Sequence, residues 1–374
     1  MSEIHGTAPG RFARVKDAFA ANFAEGQEIG ARFTVVFDGE VVVDLMGGHA
    51  DRAKTRRWDE RTLAPIFSAG KAIMALMIAR LVDQGRLDYD QPVVEYWPGF
   101  GQAGKAMITV GQLMSHQAGL PGLRPPRDPM IWYDREAVLR ALEEQAPLWE
   151  PGTASGYHPV TIGYMAAELF RRVDGRSMSA ALNEDLARPF GLELWFGLPE
   201  SEWGRLCEMR KPSAMPDLGE LDDVKRAAFL DQGSSPSGKG DDNWRRMDIP
   251  STHGHGTAHS LARLMSLISE GGRLDGQPVL SSLTIAKLTR ERSFGRDRVL
   301  PFDISWAAGL MRNRNIHIYG PGELAVGHSG WGGSCGFADP ETRLSAAYVM
   351  NRQSPNLIGD PRPLRLIEAL YAAI

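Results

Sequence analysis

The sequence predicts an α/β chain of the α+β kind: an antiparallel sheet built from both termini, flanked by helices, with an all-helical lobe inserted between. Three observations carry this. Apolar runs joined by turn residues occur near each end. The stretch between them carries helical apolar spacing. No internal repeat divides the chain into smaller units. The 374 residues suffice for one catalytic unit of two lobes. The α/β lobe is assigned to 1–67 and 300–374, and the helical lobe to 68–299.

Phe12, Val15, Phe19 and Phe23 recur at helical spacing and predict a helix over 10–24. Phe33-Thr34-Val35-Val36-Phe37 and Val41-Val42-Val43 flank Asp38-Gly39, a favoured two-residue hairpin turn. The polar, basic stretch 48–62 reads as a loop, and Phe67 leads into a helix over 69–84 that Gly85 ends. Further helices are expected from Thr109 through Leu113 and over 135–145, 160–172, 178–187 and 257–270. The segment 211–250 is rich in Pro, Asp, Gly and Ser and too long for an ordinary connection, so it reads as a substrate-lining insertion or a lid. Strands return at 304–311, 336–338 and 345–350, and a closing helix at 363–373.

Composition narrows the function classes. Net charge is -4 with both signs interspersed, which argues against a nucleic-acid surface or a membrane-binding stripe. The longest apolar run, 72–79, is stopped by Arg80 and is too short to span a bilayer. The first residues lack the basic-then-apolar pattern of a signal peptide, and a cytoplasmic location is expected. Cys207 and Cys335 are expected to be reduced and buried.

The chemistry starts at Ser68-Ala69-Gly70-Lys71. A hydroxyl and an amine at i and i+3 share one helix face, so the amine can reach the serine oxygen at a helix N-terminus. Those are parts of an activated nucleophile. Lys71 is a base only if burial or nearby positive charge keeps it neutral. The alternative is the phenolate of Tyr157, which stands in a turn-rich loop before a helix; alone, a tyrosine there is more often a packed aromatic. Gly327-His328-Ser329-Gly330-Trp331-Gly332-Gly333 lets backbone approach a ligand closely and can offer an oxyanion N–H beside that of Ser68.

In this order and spacing, Ser68-x-x-Lys71, Tyr157 and His328-Ser329-Gly330 resemble the serine β-lactamase and penicillin-binding-protein superfamily. The chain is most similar to its class C-like branch and to family VIII carboxylesterases. Leu113-Met114-Ser115-His116-Gln117-Ala118-Gly119-Leu120, Pro151-Gly152-Thr153, His255-Gly256-Thr257-Ala258 and Gly330-Trp331-Gly332-Gly333 add to the likeness. The resemblance implies a β-lactamase/transpeptidase-like fold and attack by Ser68 on an acyl carbon. Lys71 and Tyr157 would share the proton transfers. The Ser68 and Trp331 N–H groups would form the oxyanion hole, and water would release the acyl group. His328, Ser329 and Gly330 are the candidate substrate contacts, with Trp132, which from its irregular aromatic segment reads equally as a cleft-lining residue or a plug of the helical lobe.

Two departures shape the expected substrate. His328 stands where lactam-processing members carry the lysine of Lys-Thr-Gly, and a neutral imidazole anchors a carboxylate weakly. Pro159 stands where class C enzymes carry the asparagine of Tyr-x-Asn. Both suit a neutral short-chain ester, hydrolysed without metal or cofactor. A β-lactamase or D-amino-acid peptidase on the same residues, an acyltransferase, and a penicillin sensor that acylates without turnover are the other readings. Two patterns are decoys. Gly332-Gly333-Ser334-Cys335-Gly336 matches a nucleophile elbow but leads into a strand instead of a helix. His253, His255 and His259 have metal-site spacing but no acidic ligand nearby in sequence.

Overall fold

The computed structural model describes residues 3–374, and its main sheet has nine antiparallel strands among them. Their order is Ile4–Thr7, Glu40–Gly48, Gly30–Phe37, Leu344–Met350, Cys335–Asp339, Val326–Ser329, Met311–Arg312, Asp303–Trp306 and Ser293–Arg296. Both ends of the chain therefore build one sheet, joined where Gly30–Phe37 pairs with Leu344–Met350. Asp38 and Gly39 both take positive φ, 52° and 80°, the backbone required by a two-residue hairpin whose twist matches its strands.

The sheet is covered on both faces, as the period-2 alternation of its central strand demands. Leu344, Ala346, Tyr348 and Met350 join one apolar cluster with Phe12, Val15, Phe19, Leu366 and Leu370. Val15 and Phe19 come from the first helix, Ala13–Ala24, Phe12 from the turn that leads into it, and Leu366 and Leu370 from the last helix, Pro361–Tyr371. Ala347 and Val349 join the other cluster, which holds Leu261, Leu264 and Met265 of helix Ala258–Ser269. That helix was expected with the helical lobe, yet it packs on the sheet. Ser345 donates its hydroxyl to the Ala262 carbonyl at 2.8 Å, and Gly336 leaves room for Leu261. Its apolar stripe and the sheet's second face each need a cover, and each supplies the other's.

The single strand expected over 304–311 is two, Asp303–Trp306 and Met311–Arg312, because the chain turns at Gly309 (φ 82°) and Ala307 N–H bonds the Leu310 carbonyl. The sheet also takes in Ser293–Arg296, upstream of the expected boundary at 300. Other expected helices appear as Val110–Met114, Arg135–Glu144, Thr161–Asp174 and Met178–Leu182, the last continuing in wider turns through Ala187.

The element that matters for chemistry is helix Gly70–Asp83, entered by the tight helical turn Phe67–Ala69. It is buried from Gly70 to Ala79, apolar all round except for Lys71. A small sheet of Ala64–Pro65, Gly254–Gly256 and Leu194–Phe196 fixes its approach. No helix among the described residues is long and apolar enough to cross a membrane. Cys207 and Cys335 are both buried and unpaired.

Leu261 is fully buried beneath the sheet. Leu261→Ala is expected to lower unfolding free energy by about 2–5 kcal/mol, read from denaturant midpoints. A loss below about 1 kcal/mol would mean that the helix does not anchor the sheet.

Candidate active site

Three distant segments meet at one oxygen. Ser68 Oγ lies 3.1 Å from Lys71 Nζ and accepts a hydrogen bond from the Tyr157 hydroxyl at 2.7 Å. Phe67, just before it, holds a left-handed φ of 48°, a strained setting that presents the serine at the turn.

Lys71 is fully buried. Its Nζ also donates to the Pro159 and Ser251 carbonyls, both at 2.9 Å. Burial pushes its pKa well below the ordinary lysine value. A neutral amine has two hydrogens, enough for the two carbonyls, and one lone pair left to accept the Ser68 proton. Proline at 159 therefore serves through its carbonyl, which needs no amide side chain. Burial raises Tyr157 above the usual phenol range, so its hydroxyl stays protonated and donates. This geometry suits Lys71 to accept the Ser68 proton and Tyr157 to donate one.

Tyr157 is held from several sides. Its ring stacks on Trp306 at 5.9 Å and 3° and meets the His116 edge at 5.1 Å. Its N–H donates to Asp297 Oδ1 at 2.9 Å. The same carboxylate accepts from the Val299 and Leu300 N–H groups and from the Trp306 indole. The Leu113–Leu120 motif acts from behind: His158 N–H donates to His116 Nδ1 at 3.1 Å, and Leu120 N–H donates to His158 Nε2 at 2.9 Å.

Beyond the serine, the edge of strand Val326–Ser329 comes close. A Cβ on Gly330 would lie 2.3 Å from the Ile66 carbonyl and 3.2 Å from Ala69 N. Ser334 is buried and donates to the Ile66 carbonyl at 2.9 Å, tying the sheet to the nucleophile turn. The residue with elbow spacing is thus a clamp. Among the described residues, neither the Ser68 N–H nor the Trp331 N–H donates to another backbone group.

A family model described as Beta-lactamase matches residues 15–371. The chain belongs to the Beta-lactamase family. Within this family it is similar to an esterase/beta-lactamase, LipL, of Mycobacterium tuberculosis, at 35% identity over 93% of this chain and 83% of the relative. It superposes on a penicillin-binding-protein homologue from Caulobacter crescentus with TM-score 0.98 at 55% identity, covering all of both chains. A family VIII carboxylesterase superposes with TM-score 0.93 at 40% identity, again over all of both chains.

In this family member the serine opens into a cavity of about 590 Å³. His328, Ser329 and Trp331 line it. His328 is buried, its Nδ1–H donates to the Ser329 carbonyl at 2.8 Å, and burial above all lowers its pKa to about 3. Gly330 contributes the close backbone approach instead of a cavity wall. The 211–250 segment lines the cavity through Met215, Leu218, Phe229, Lys239 and Trp244, which favours the substrate-lining reading.

Trp132 does not reach this cavity. It is buried in the turn Pro129–Tyr133 and borders a separate pocket of about 160 Å³ with Tyr164 and Met247. Its indole N–H donates to the Gly233 carbonyl at 2.8 Å, so it props the 211–250 segment from beneath. The three histidines also part company. His253 lines the cavity and bonds Thr252, His255 bonds the His253 carbonyl, and His259 faces Asp44 at 3.3 Å.

Sequence reading missed Asp297, Ser251 and the clamp role of Ser334. Asp297 carries no motif; its only mark is an aspartate between two arginines in a strand-to-loop transition.

Two outcomes are expected. Gly330→Ala forces the strand edge off the nucleophile turn, so initial rates should fall at least tenfold with the serine intact; a rate within twofold of the parent would mean the approach is dispensable. Because Lys71 must be neutral, acylation should decline as pH falls through its pKa, with that limb well below the ordinary lysine range. Single-turnover rates against pH read this directly. A limb near pH 10 would mean an ammonium at neutrality.

Proposed function

We propose that this chain hydrolyses carboxylic esters with short acyl groups through a covalent acyl-Ser68 intermediate. The observation that carries the reading is Ser68 Oγ held between Lys71 Nζ and the Tyr157 hydroxyl. In the forward step Lys71 takes the Ser68 proton while Oγ bonds the acyl carbon. The Ser68 and Trp331 N–H groups receive the negative charge that develops on the carbonyl oxygen. The ester bond to the alcohol breaks, and Tyr157 protonates the leaving oxygen; the proton gained by Lys71 restores the phenol. Water then attacks the acyl carbon, losing a proton to Lys71; the bond from that carbon to Oγ breaks, Lys71 returns the proton to Ser68, and the acid departs.

Ester chemistry is favoured over lactam or peptide chemistry by two features. A neutral His328 gives no cation at the position where lactam-processing relatives use a lysine. Pro159 has no amide side chain to meet a substrate amide, and its carbonyl is taken up by Lys71 Nζ. The names of the relatives, an esterase/beta-lactamase and a family VIII carboxylesterase, support the same class.

A fluorophosphonate probe should label Ser68 and leave Ser334 unmodified, read by peptide mass spectrometry. Tyr157→Phe should slow p-nitrophenyl butyrate hydrolysis by about 10²–10⁴, the scale for losing an acid–base group. Faster turnover of a chromogenic cephalosporin than of the butyrate would replace the esterase reading with the lactamase one.

A further inference from the structure

The Ser68 cavity carries an unbalanced charge. Lys211 and Lys239 line it, and no aspartate or glutamate does. The whole chain is at -4, so this is a local excess. Lys239 Nζ lies 4.5 Å from the centre of the Phe67 ring and 5.9 Å from that of Trp331. Phe67 precedes the nucleophile, and Trp331 offers the second oxyanion N–H. The ammonium therefore stands over the two residues that bracket the reacting acyl group.

Aromatic faces hold a cation by their quadrupole, but they do not neutralise it. Burial, together with the charge of Lys211, lowers the Lys239 pKa to about 8, so the group remains mainly charged at neutrality. Such a cation gains most from an incoming anion. The approach is also cationic. A cleft of about 230 Å³ shares Lys211 with the cavity and is lined by Arg210 and Arg352. Its one acidic residue, Asp360, is spent on the buried Arg362 at 2.8 Å. Met215, Phe229, Leu300 and Leu357 give the cavity an apolar portion, and its other polar side chains, such as Ser234, Thr252 and Gln353, are uncharged.

We propose that the ester taken by Ser68 carries a carboxylate, which Lys239 recognises with help from Lys211, beside a short apolar portion that packs on the cavity's apolar side chains. The inference rests on the esterase reading and narrows its substrate from a neutral ester to an anionic one. The cation absent at position 328 is supplied instead from the 211–250 segment.

The test compares esters matched in shape. On the alcohol side these are 4-(butyryloxy)benzoate and 4-(butyryloxy)benzamide. On the acyl side they are mono-4-nitrophenyl glutarate and its terminal carboxamide. In at least one pair the carboxylate should exceed the amide in kcat/KM by about tenfold or more at low salt. That ratio should shrink as salt rises. Lys239→Met should collapse the ratio toward one, Lys211→Met should reduce it in part, and Lys239→Arg should preserve most of it. Because each ratio is taken within one variant, damage to folding cancels. Amides equal to or better than carboxylates in both pairs would overturn the proposal, as would a ratio indifferent to Lys239→Met. Calorimetric binding of the carboxylate esters to Ser68→Ala, with and without Lys239→Met, reads the lysine without turnover. If no ester is hydrolysed, the esterase reading fails alone; binding weakened at least fivefold by Lys239→Met would still uphold carboxylate recognition, and unchanged binding would end it.

Discussion

Everything at this site depends on one buried amine. Lys71 sits out of water with two carbonyls and a hydroxyl around it and no carboxylate to keep it charged. An ammonium there would lose its hydration for three neutral acceptors, whereas a neutral amine loses far less. The desolvation that would count against a structural lysine is what suits this one to the base's role proposed for it. The rest of the architecture keeps that environment closed: a helix buried on all sides, a proline carbonyl from one loop and a serine carbonyl from another.

The second constraint is how near separate backbones must come. The nucleophile turn is gripped by Gly254, Gly330 and Ser334, from a small sheet on one side and the main sheet on the other. At Gly70, an added Cβ would lie 2.8 Å from the Pro250 carbonyl and 3.5 Å from Gly254. Side chains at these positions would move Ser68 by more than a hydrogen bond tolerates. Rigidity of this kind matters because a base and nucleophile held in register need no reordering before attack. Tyr157 receives the same treatment by other means, with a stacked Trp306 and an Asp297 carboxylate that fixes its backbone. A phenol so enclosed can aim one hydrogen at one oxygen.

Much of this was legible in the sequence, and the legible part is local. Ser68 and Lys71 sit one helical turn apart, so their meeting follows from helix geometry. The Asp38-Gly39 hairpin and the terminal helices follow from periodicity and turn chemistry. Ser334, by contrast, was legible only as a nucleophile to reject, since a clamp onto the Ile66 carbonyl has no sequence pattern. Trp132 read equally well as a cavity wall or a plug, because an aromatic in an irregular segment is satisfied by any apolar surroundings with an acceptor for its N–H. Helix Ala258–Ser269 was placed with the wrong partner because an amphipathic stripe says that a face is buried but not against what. Lys239 gave no signal at all: its meaning comes from Phe67 and Trp331, which lie far from it along the chain.

The two cationic positions, lost at 328 and gained at 239, are physically related. An anion bound next to Lys71 would stabilise its ammonium and disarm the base. His328 is near enough for the Lys71 charge to depress its own titration, so a carboxylate docked there would act back on Lys71. Lys239 is governed by burial and by Lys211 instead. A carboxylate held over Phe67 and Trp331 can therefore be recognised while the amine beside Ser68 stays neutral. On this proposal, a neutral imidazole at 328 and an ammonium at 239 would let one cavity bind an anion without protonating the amine beside Ser68.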